Sequence, residues 1–352
     1  MKKYLLALAF VITCLGVDYS YASDIVYYDD SDLDLVFEEN GMEYDKKKVY
    51  ERRIEYLKED ENINSDDLIK GYEREIDRLK QEEEDLDNQS DKEAEEDKQL
   101  DLEEENIEKL NEEISNITKE EMNKVDGLYQ VAVKTLDGDD RVDFDYRNTT
   151  GSLPSASTIK VFVAISAYEN IEQEYIKETD SLKKDIHLML NRSDNYATNR
   201  VIDALGGFAR VNSTIKKLTG SNRTSLNRKL AYPGKENMVD VSDLIIAMEE
   251  LDDPKMISKS YADKIKQSMT NTNTKSSKLL ANLPSYSSGI NKSGENPDRG
   301  QELDVAIIDV GSTRFALAVA MKTDKYFDNQ NELQILRNMG KRISEAFYSY
   351  DK

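Results

Sequence analysis

The charged residues of this chain are distributed unevenly, and their distribution limits where a hydrophobic core can form. Residues 23–124 hold 38 acidic and 15 basic side chains, so this block accounts for the formal net charge of −23. Residues 125–352 hold 32 acidic and 31 basic side chains and are close to neutral. A segment of high net charge and few apolar residues cannot bury enough surface to form a compact domain by itself. We therefore expect one globular domain over residues 125–352, preceded by an acidic segment.

Residues 1–22 have the features of a secretory signal peptide. Two lysines precede a 14-residue apolar run, and a Ser-x-Ala sequence suits cleavage after Ala22. A run of this length is shorter than the ~20 apolar residues that span a bilayer. Lipoprotein processing at Cys14 and retention as an uncleaved anchor are the alternatives. Cleavage predicts a secreted, extracytoplasmic protein, and association with the cell wall is a further expectation.

Residues 23–124 are predicted to be an acidic spacer that is partly helical or coiled-coil, or else disordered. The block contains no proline, and residues 81–99 offer only Leu86 and Ala94 as apolar side chains. Two stretches have the 3–4–3 apolar spacing of a coiled-coil seam: Ile69, Tyr72, Ile76 and Leu79, and then Ile107, Leu110, Ile114 and Ile117. The spacing leaves open self-association or contact with the cell wall through this spacer. No catalytic motif occurs in it.

The composition excludes several kinds of chemistry. The chain has one histidine, one cysteine and no tryptophan, so a His/Cys zinc site and an internal disulfide cannot be assembled, and we expect no metal and no cofactor. A Ser-His-Asp triad would need His187, which lies in an apolar helical stretch and is expected in the core or on a helical surface. The net acidity argues against a nucleic-acid partner, because phosphate contacts need clustered Lys and Arg.

The neutral domain alternates predicted strands and helices. Strands are predicted at residues 129–136 and 141–147, and again at 305–310 and 315–321, and an amphipathic helix closes the chain at 332–347. The segments between the two groups of strands read as helices. This order predicts an α+β fold in which the two ends of the domain share one antiparallel sheet.

A Ser-x-x-Lys sequence at a predicted helix start can supply a nucleophile without a histidine. Ser157 and Lys160 are three residues apart, which places both on one helix face, so the amine can reach the hydroxyl. Backbone N–H groups at a helix N-terminus suit a developing oxyanion, and a lysine whose charge is disfavoured can act as a base. The pattern alone is weak, because it recurs at residues 181–184 and 213–216.

Two further motifs follow the first in order, and each occurs once: Ser193-Asp194-Asn195 and Lys292-Ser293-Gly294. Together the three motifs resemble the class A β-lactamases and penicillin-binding proteins, over essentially residues 125–352. The resemblance implies an α/β sandwich with a five-stranded antiparallel sheet flanked by helices. Only 36 residues separate the first two motif serines, fewer than is usual in the family, so we expect a reduced helical lobe.

The resemblance also implies catalytic roles. Ser157 would be the acylated nucleophile, Lys160 would activate it, and Ser193 would pass a proton to the leaving nitrogen. The N–H of Ser157 would form one half of an oxyanion hole.

The remaining motif positions would bind the substrate. Asn195 would contact its amide side chain, and Lys292 and Ser293 would contact its carboxylate. Gly294 completes the third motif, and the N–H of Glu295 would form the other half of the oxyanion hole.

One departure from the family bears on the release of the acyl group. Class A enzymes carry a Glu-x-x-Leu-Asn sequence whose glutamate positions the deacylating water, and alignment on Arg228 places Leu230 there. Glu236 lies a few residues later and could serve only if the loop folds differently. Without this acid, acylation would proceed and deacylation would be slow.

Three functions follow as hypotheses. The first is a serine hydrolase that opens β-lactams through an acyl-enzyme, with a role in the response to antibiotics. The second is a penicillin-binding D,D-peptidase-like domain that acts on cell-wall peptides and deacylates slowly. The third is a non-enzymatic, wall-associated binding module.

Overall fold

The structure is a computed structural model that describes residues 46–59, 66–138 and 141–352. The signal peptide expected at residues 1–22 lies outside the described residues. The chain divides into two compact units, Met1–Asp101 and Leu102–Lys352. Among the described residues, no helix combines the length and the apolar character needed to cross a membrane.

The first unit contains helix α1, Lys46–Glu59, and the first part of the long helix α2, Asp66–Met122. The first predicted coiled-coil seam packs against α1, where Tyr50 and Ile54 are buried with Ile76. The ring of Tyr50 also stacks on that of Tyr72, with 5.3 Å between the centroids. This seam is therefore covered by a helix of the same chain.

The last part of α2 belongs to the second unit. Its apolar residues are buried against the sheet and the last helix of the chain: Leu110, Ile114, Ile117 and Met122. The second unit therefore begins at Leu102, before the boundary at residue 125 that the charge distribution predicts. The difference arises because this part of α2 is amphipathic, so a buried apolar stripe coexists with a strongly acidic average composition.

A five-stranded antiparallel sheet forms the centre of the second unit, with strand order β2-β1-β7-β6-β5. Its strands are β1 Gly127–Thr135, β2 Asp143–Arg147, β5 Ser287–Asn296, β6 Gln301–Val310 and β7 Thr313–Thr323. Two short strands, β3 Leu153–Pro154 and β4 Met238–Val239, pair separately. Because β1 lies beside β7, the two ends of the domain share one sheet, which confirms the predicted fold class.

Helices cover both faces of this sheet. They are α3 Lys160–Glu172, α4 Asp180–Asn191, α5 Asn195–Ala204, α6 Phe208–Thr219, α7 Val241–Asp252, α8 Lys259–Ser268 and α9 Gln330–Tyr350. Alternate residues of β7 pack on opposite faces, since Ala316 and Ala318 join the cluster around α3, and Leu317 and Val319 join the cluster around α9. Helix α3 is buried along nearly its whole length, so its first residue is fixed in place.

Candidate active site

Ser157 lies in the turn that leads into α3. The backbone N–H of Thr158 donates to Ser155 O at 3.0 Å, and that of Lys160 donates to Ser157 O at 3.2 Å. Ala156 has a positive φ of 41°, which tightens this turn ahead of the helix. Ser157 is half-buried, and within the described part of the chain its own N–H donates to no backbone carbonyl. The hydroxyl and this N–H are therefore available at the helix start.

Lys160 is completely buried at the first position of α3. Its Nζ lies within hydrogen-bond distance of three oxygens: Ser193 O at 2.6 Å, Ser193 Oγ at 3.1 Å and Asn195 Oδ1 at 2.8 Å. Burial, and then the charge of Lys292, lower the pKa of Lys160 to about 6. Among the described residues its hydrogen bonds are to the second motif and none is to Ser157. The first and second motifs are thus joined directly by the amine.

The second motif follows α4 and ends at Asn195, the first residue of α5. Ser193 has a positive φ of 56°, a sparsely populated conformation for a residue with a side chain. Asp194 caps α5 by accepting from Ala197 N at 2.7 Å. The cap fixes the start of the helix, and Ser193 Oγ is thereby held toward the two lysines.

Lys292 approaches the same hydroxyl from β5. Its Nζ donates to Ser193 Oγ at 3.1 Å and to Ser293 O at 2.7 Å. Burial lowers the pKa of Lys292 to about 7, and nearby Lys278 also lowers it. Ser193 Oγ is therefore held between two amines that both have depressed pKa values.

The glycine of the third motif allows β5 to approach the nucleophile turn. A Cβ on Gly294 would lie 2.9 Å from Ser155 O and 3.0 Å from Thr158 N, closer than side-chain carbons come to backbone atoms. Only glycine fits this contact without displacing backbone. The close approach places Ser293 and Glu295 beside the turn that carries Ser157.

Buried charges that the sequence reasoning missed lie beneath β5. Lys278 is completely buried and donates to Glu302 Oε2 at 2.5 Å, and it forms an ion pair with Glu295 at 3.2 Å. Asp304 is also buried and accepts from Asn291 Nδ2 at 3.0 Å. One signal was present in the sequence, because Asp304 lies between Leu303 and the apolar run at residues 305–308. Lys278 had no such signal.

The other two Ser-x-x-Lys sequences have a different environment. Ser181 and Lys184 are exposed on α4, and Ser213 and Lys216 are exposed on α6. The amine of Lys216 is used to bind the carbonyl of Gly220 at 2.7 Å. Of the three Ser-x-x-Lys sequences, only that of Ser157 and Lys160 has a buried lysine in contact with the second motif.

The loop between α6 and β4 contains Leu230 and Glu236. Leu230 is buried in the apolar cluster around α3, and Asn199 holds its backbone by two hydrogen bonds, at 2.9 Å to N and 3.0 Å to O. The carboxylate of Glu236 forms ion pairs with Arg228, at 2.8 Å, and with Arg299. Both oxygens of Glu236 are thus held by guanidinium groups.

His187 lies away from this arrangement. It is exposed on α4, and its Nδ1 is 3.3 Å from Ser268 Oγ. Within residues 46–59, 66–138 and 141–352, no three His, Cys or carboxylate side chains are grouped as a metal site.

The arrangement around Ser157 offers a hydroxyl, an amine that is neutral near pH 7 and a bridging serine, which together suit acyl transfer.

Comparison with known proteins identifies relatives of the second unit. A sequence profile described as "Beta-lactamase enzyme family" matches residues 109–186 and 178–347. The structure resembles PBP-A, with 21% identity over 66% of this chain and 96% of that chain and a TM-score of 0.58. A PBP-A mutant, solved as its acyl-enzyme complex with penicillin G, matches with 21% identity over 67% and 97% of the two chains and the same TM-score.

A class A β-lactamase from Bacteroides cellulosilyticus DSM 14838 matches with 17% identity over 68% of this chain and 99% of that chain, with a TM-score of 0.58. At these identities the structural matches establish the fold. No curated protein matches the sequence. Since the family profile matches well over half of the chain, this chain belongs to the β-lactamase enzyme family.

Proposed function

We propose that this chain is a secreted serine hydrolase that is acylated by β-lactams at Ser157 and releases the opened product by hydrolysis. The observation that carries the proposal is the buried Lys160, which has a pKa of about 6 and lies at the start of α3 against the second motif. An amine of this pKa is mostly neutral at pH 7 and can accept the proton of the serine. The acyl-enzyme complex of the PBP-A mutant with penicillin G supports penicillin as an acyl donor for this fold.

Acylation would proceed in balanced proton steps. Ser157 Oγ transfers its proton to Lys160 Nζ and attacks the β-lactam carbonyl carbon, forming a tetrahedral oxyanion near the N–H groups of Ser157 and Glu295. The carbonyl carbon–nitrogen bond then breaks. The leaving nitrogen takes a proton from Ser193 Oγ, and Ser193 is reprotonated by Lys160, to which it is bonded at 3.1 Å.

The other motif residues would hold the substrate during these steps. Asn195 binds Lys160 through Oδ1, so its Nδ2 can donate to the amide side chain of the substrate. Lys292 and Ser293 would face the substrate carboxylate, since an amine and a hydroxyl are suited to bind an anion.

A second candidate function is a penicillin-binding D,D-peptidase-like domain that acts on cell-wall peptides and loses its acyl group slowly. The environment of the loop residues favours it. Leu230 carries no acid, and the carboxylate of Glu236 is held by Arg228 and Arg299 rather than by a residue of the three motifs. A loop that offers no such acid to the three motifs would be expected to release the acyl group slowly.

Reaction with a fluorescent penicillin, followed by intact-mass spectrometry over time, tests both functions. A penicilloyl adduct that forms and is then lost as product accumulates supports β-lactam hydrolysis. An adduct that persists for hours supports the second candidate. A chain that forms no adduct at any concentration contradicts both and leaves the non-enzymatic module.

The site of acylation is tested by two serine variants. Ser157→Ala is expected to abolish the adduct, because Ser157 is the serine of the one Ser-x-x-Lys sequence, of the three in the chain, whose lysine is buried. Ser213→Ala is the matched control, since Ser213 belongs to the same letters Ser-Thr-Ile-Lys but is exposed on α6, and it should react like the wild type. Loss of the adduct in Ser213→Ala alone would contradict the assignment.

A further inference from the structure

A threonine outside the three motifs contacts the third motif. Thr274 lies in the connection between α8 and β5, and its Oγ1 donates to Ser293 Oγ at 2.9 Å. Ser293 is nearly buried and Thr274 is half-buried, so the two hydroxyls meet at the edge of the site.

The segment that carries Thr274 is fixed by a buried network. Thr272 Oγ1 donates to Asn291 Oδ1 at 2.7 Å, and Asn291 Nδ2 donates to both carboxylate oxygens of Asp304 at 3.0 Å. The N–H of Leu279 also donates to Asp304, at 3.1 Å. These bonds tie the connection to β5 and β6, so the position of Thr274 relative to Ser293 is set by the fold.

The count of hydroxyl hydrogens limits the directions of these bonds. Each threonine has one hydrogen, and that of Thr272 is used on an amide oxygen that can only accept. Thr272 therefore cannot donate to Thr274, whose Oγ1 is 3.5 Å away. The hydrogen of Thr274 has Ser293 Oγ, at 2.9 Å, as its nearer acceptor.

The neighbouring charge indicates where the hydrogen of Ser293 goes. Lys292 Nζ donates to the carbonyl of Ser293 at 2.7 Å, so a positive group lies beside the hydroxyl pair. An anion bound there would receive the Ser293 hydrogen, and the bond from Thr274 would polarise that hydroxyl in the same direction. Lys292 and Ser293 would then both face the anion, and Thr274 would support the Ser293 hydroxyl from behind.

We propose that Thr274 is a positioning residue that directs the Ser293 hydroxyl toward the carboxylate of an anionic acyl donor. The inference rests on the proposed acylation of Ser157, and it adds a residue that makes this acylation selective for substrates with a carboxylate. Thr274 itself does not touch the reacting atoms. It acts through Ser293, so its effect depends on the charge of the substrate.

Thr274→Val tests the proposal, because valine keeps the shape and removes the hydroxyl. The probes are a penicillin with a free carboxylate and its neutral methyl ester, and the readout is the second-order rate constant of adduct formation measured by mass spectrometry. Thr274→Val should lower this constant about fivefold to tenfold for the free acid and leave the ester within twofold, as expected for one lost hydrogen bond. Thr274→Ser should restore the wild-type selectivity.

Thr270→Val is the matched control, since Thr270 lies in the same connection but donates to Lys266 O at 3.1 Å, and it should change neither rate. An equal loss for acid and ester in Thr274→Val would show a merely structural role and overturn the inference. No change with either probe would also overturn it. A wild-type chain that takes no adduct from either probe would instead overturn the proposed function.

Discussion

At the scale of single residues, the two site lysines share one acceptor. Lys160 and Lys292 each donate to Ser193 Oγ at 3.1 Å, and each is buried. Burial is the main cause of both low pKa values; the charge of Lys292 lowers the pKa of Lys160 further, and the charge of Lys278 lowers that of Lys292. Their pKa values of about 6 and about 7 therefore follow from the fold and not from the motifs as such.

The proposed roles of these lysines predict a bell-shaped pH dependence of acylation. Lys160 must be neutral to accept the serine proton, so the rate should rise as the pH increases through about 6. Lys292 must be charged to attract the substrate carboxylate, so the rate should fall as the pH increases through about 7. The measurement is the second-order acylation rate between pH 4.5 and pH 9. A rate that is flat across this range would contradict the assignment of base and anion site.

A buried ion pair predicts a large loss of stability on substitution. Lys278→Met removes the ion-pair partner of Glu302, which is buried and would keep, from the described residues, only the side-chain hydrogen bond of Asn329 Nδ2 at 2.6 Å. We expect the free energy of unfolding to fall by about 3–5 kcal/mol, because a buried charge is left uncompensated. Urea unfolding followed by circular dichroism measures the free energy of unfolding of the variant and the wild type.

The double variant Lys278→Met, Glu302→Gln is the control for that prediction. Glutamine is neutral and close to isosteric, so the double variant should be more stable than Lys278→Met alone. Equal stability of the single and double variants would show that the effect is lost packing and not an unpaired charge.

At the scale of secondary-structure elements, the strands and helices with a clear apolar pattern were predictable, whereas the edge strand β5 was not. The alternation along β1 and the continuous apolar run along β7 placed both strands to within a few residues. Strand β5 reads Ser-Ser-Gly-Ile-Asn-Lys-Ser-Gly-Glu-Asn, which has one large apolar residue and no alternation. It forms because β6 offers it a complete ladder of partners, and such long-range pairing is not encoded in local pattern.

The close packing of β5 against the nucleophile turn predicts that Gly294→Ala slows acylation. The added Cβ would lie 2.9–3.0 Å from Ser155 O and Thr158 N, so β5 must move away from the nucleophile turn. We expect acylation to slow by at least about tenfold, since a displacement of roughly 1 Å at a reacting centre costs up to about a hundredfold in rate.

Gly151→Ala is the control, because its Cβ would meet only Thr149 Oγ1, at an ordinary 3.7 Å. This variant should be acylated at the wild-type rate. If Gly294→Ala also retains the wild-type rate, the close approach of β5 to the turn is not needed for acylation.

At the scale of the whole molecule, composition located the acidic segment but misplaced the start of the globular unit. The count of charges averages over a helix, whereas burial depends on which side of the helix each residue occupies. In the last part of α2 the acidic side chains face solvent or form ion pairs, such as that of Glu121 with Arg342 at 3.0 Å, and the apolar stripe covers the sheet. The described structure thus makes residues 102–122 part of the domain.

Two truncated chains distinguish the domain boundary at residue 102 from the one at residue 125. A chain that begins at Leu102 retains all of the second unit and should unfold cooperatively, with a midpoint in urea close to that of the full chain.

A chain that begins at residue 125 lacks the buried side chains Leu110, Ile114, Ile117 and Met122. At about 1.5–3 kcal/mol for each fully buried side chain, the loss amounts to roughly 6–12 kcal/mol. That is comparable to the whole stability of a typical domain, about 5–15 kcal/mol, so this chain should be insoluble or largely unfolded. If it instead unfolded at the same urea concentration as the chain from Leu102, the end of α2 would be a dispensable attachment, and the boundary at 125 would be the physical one.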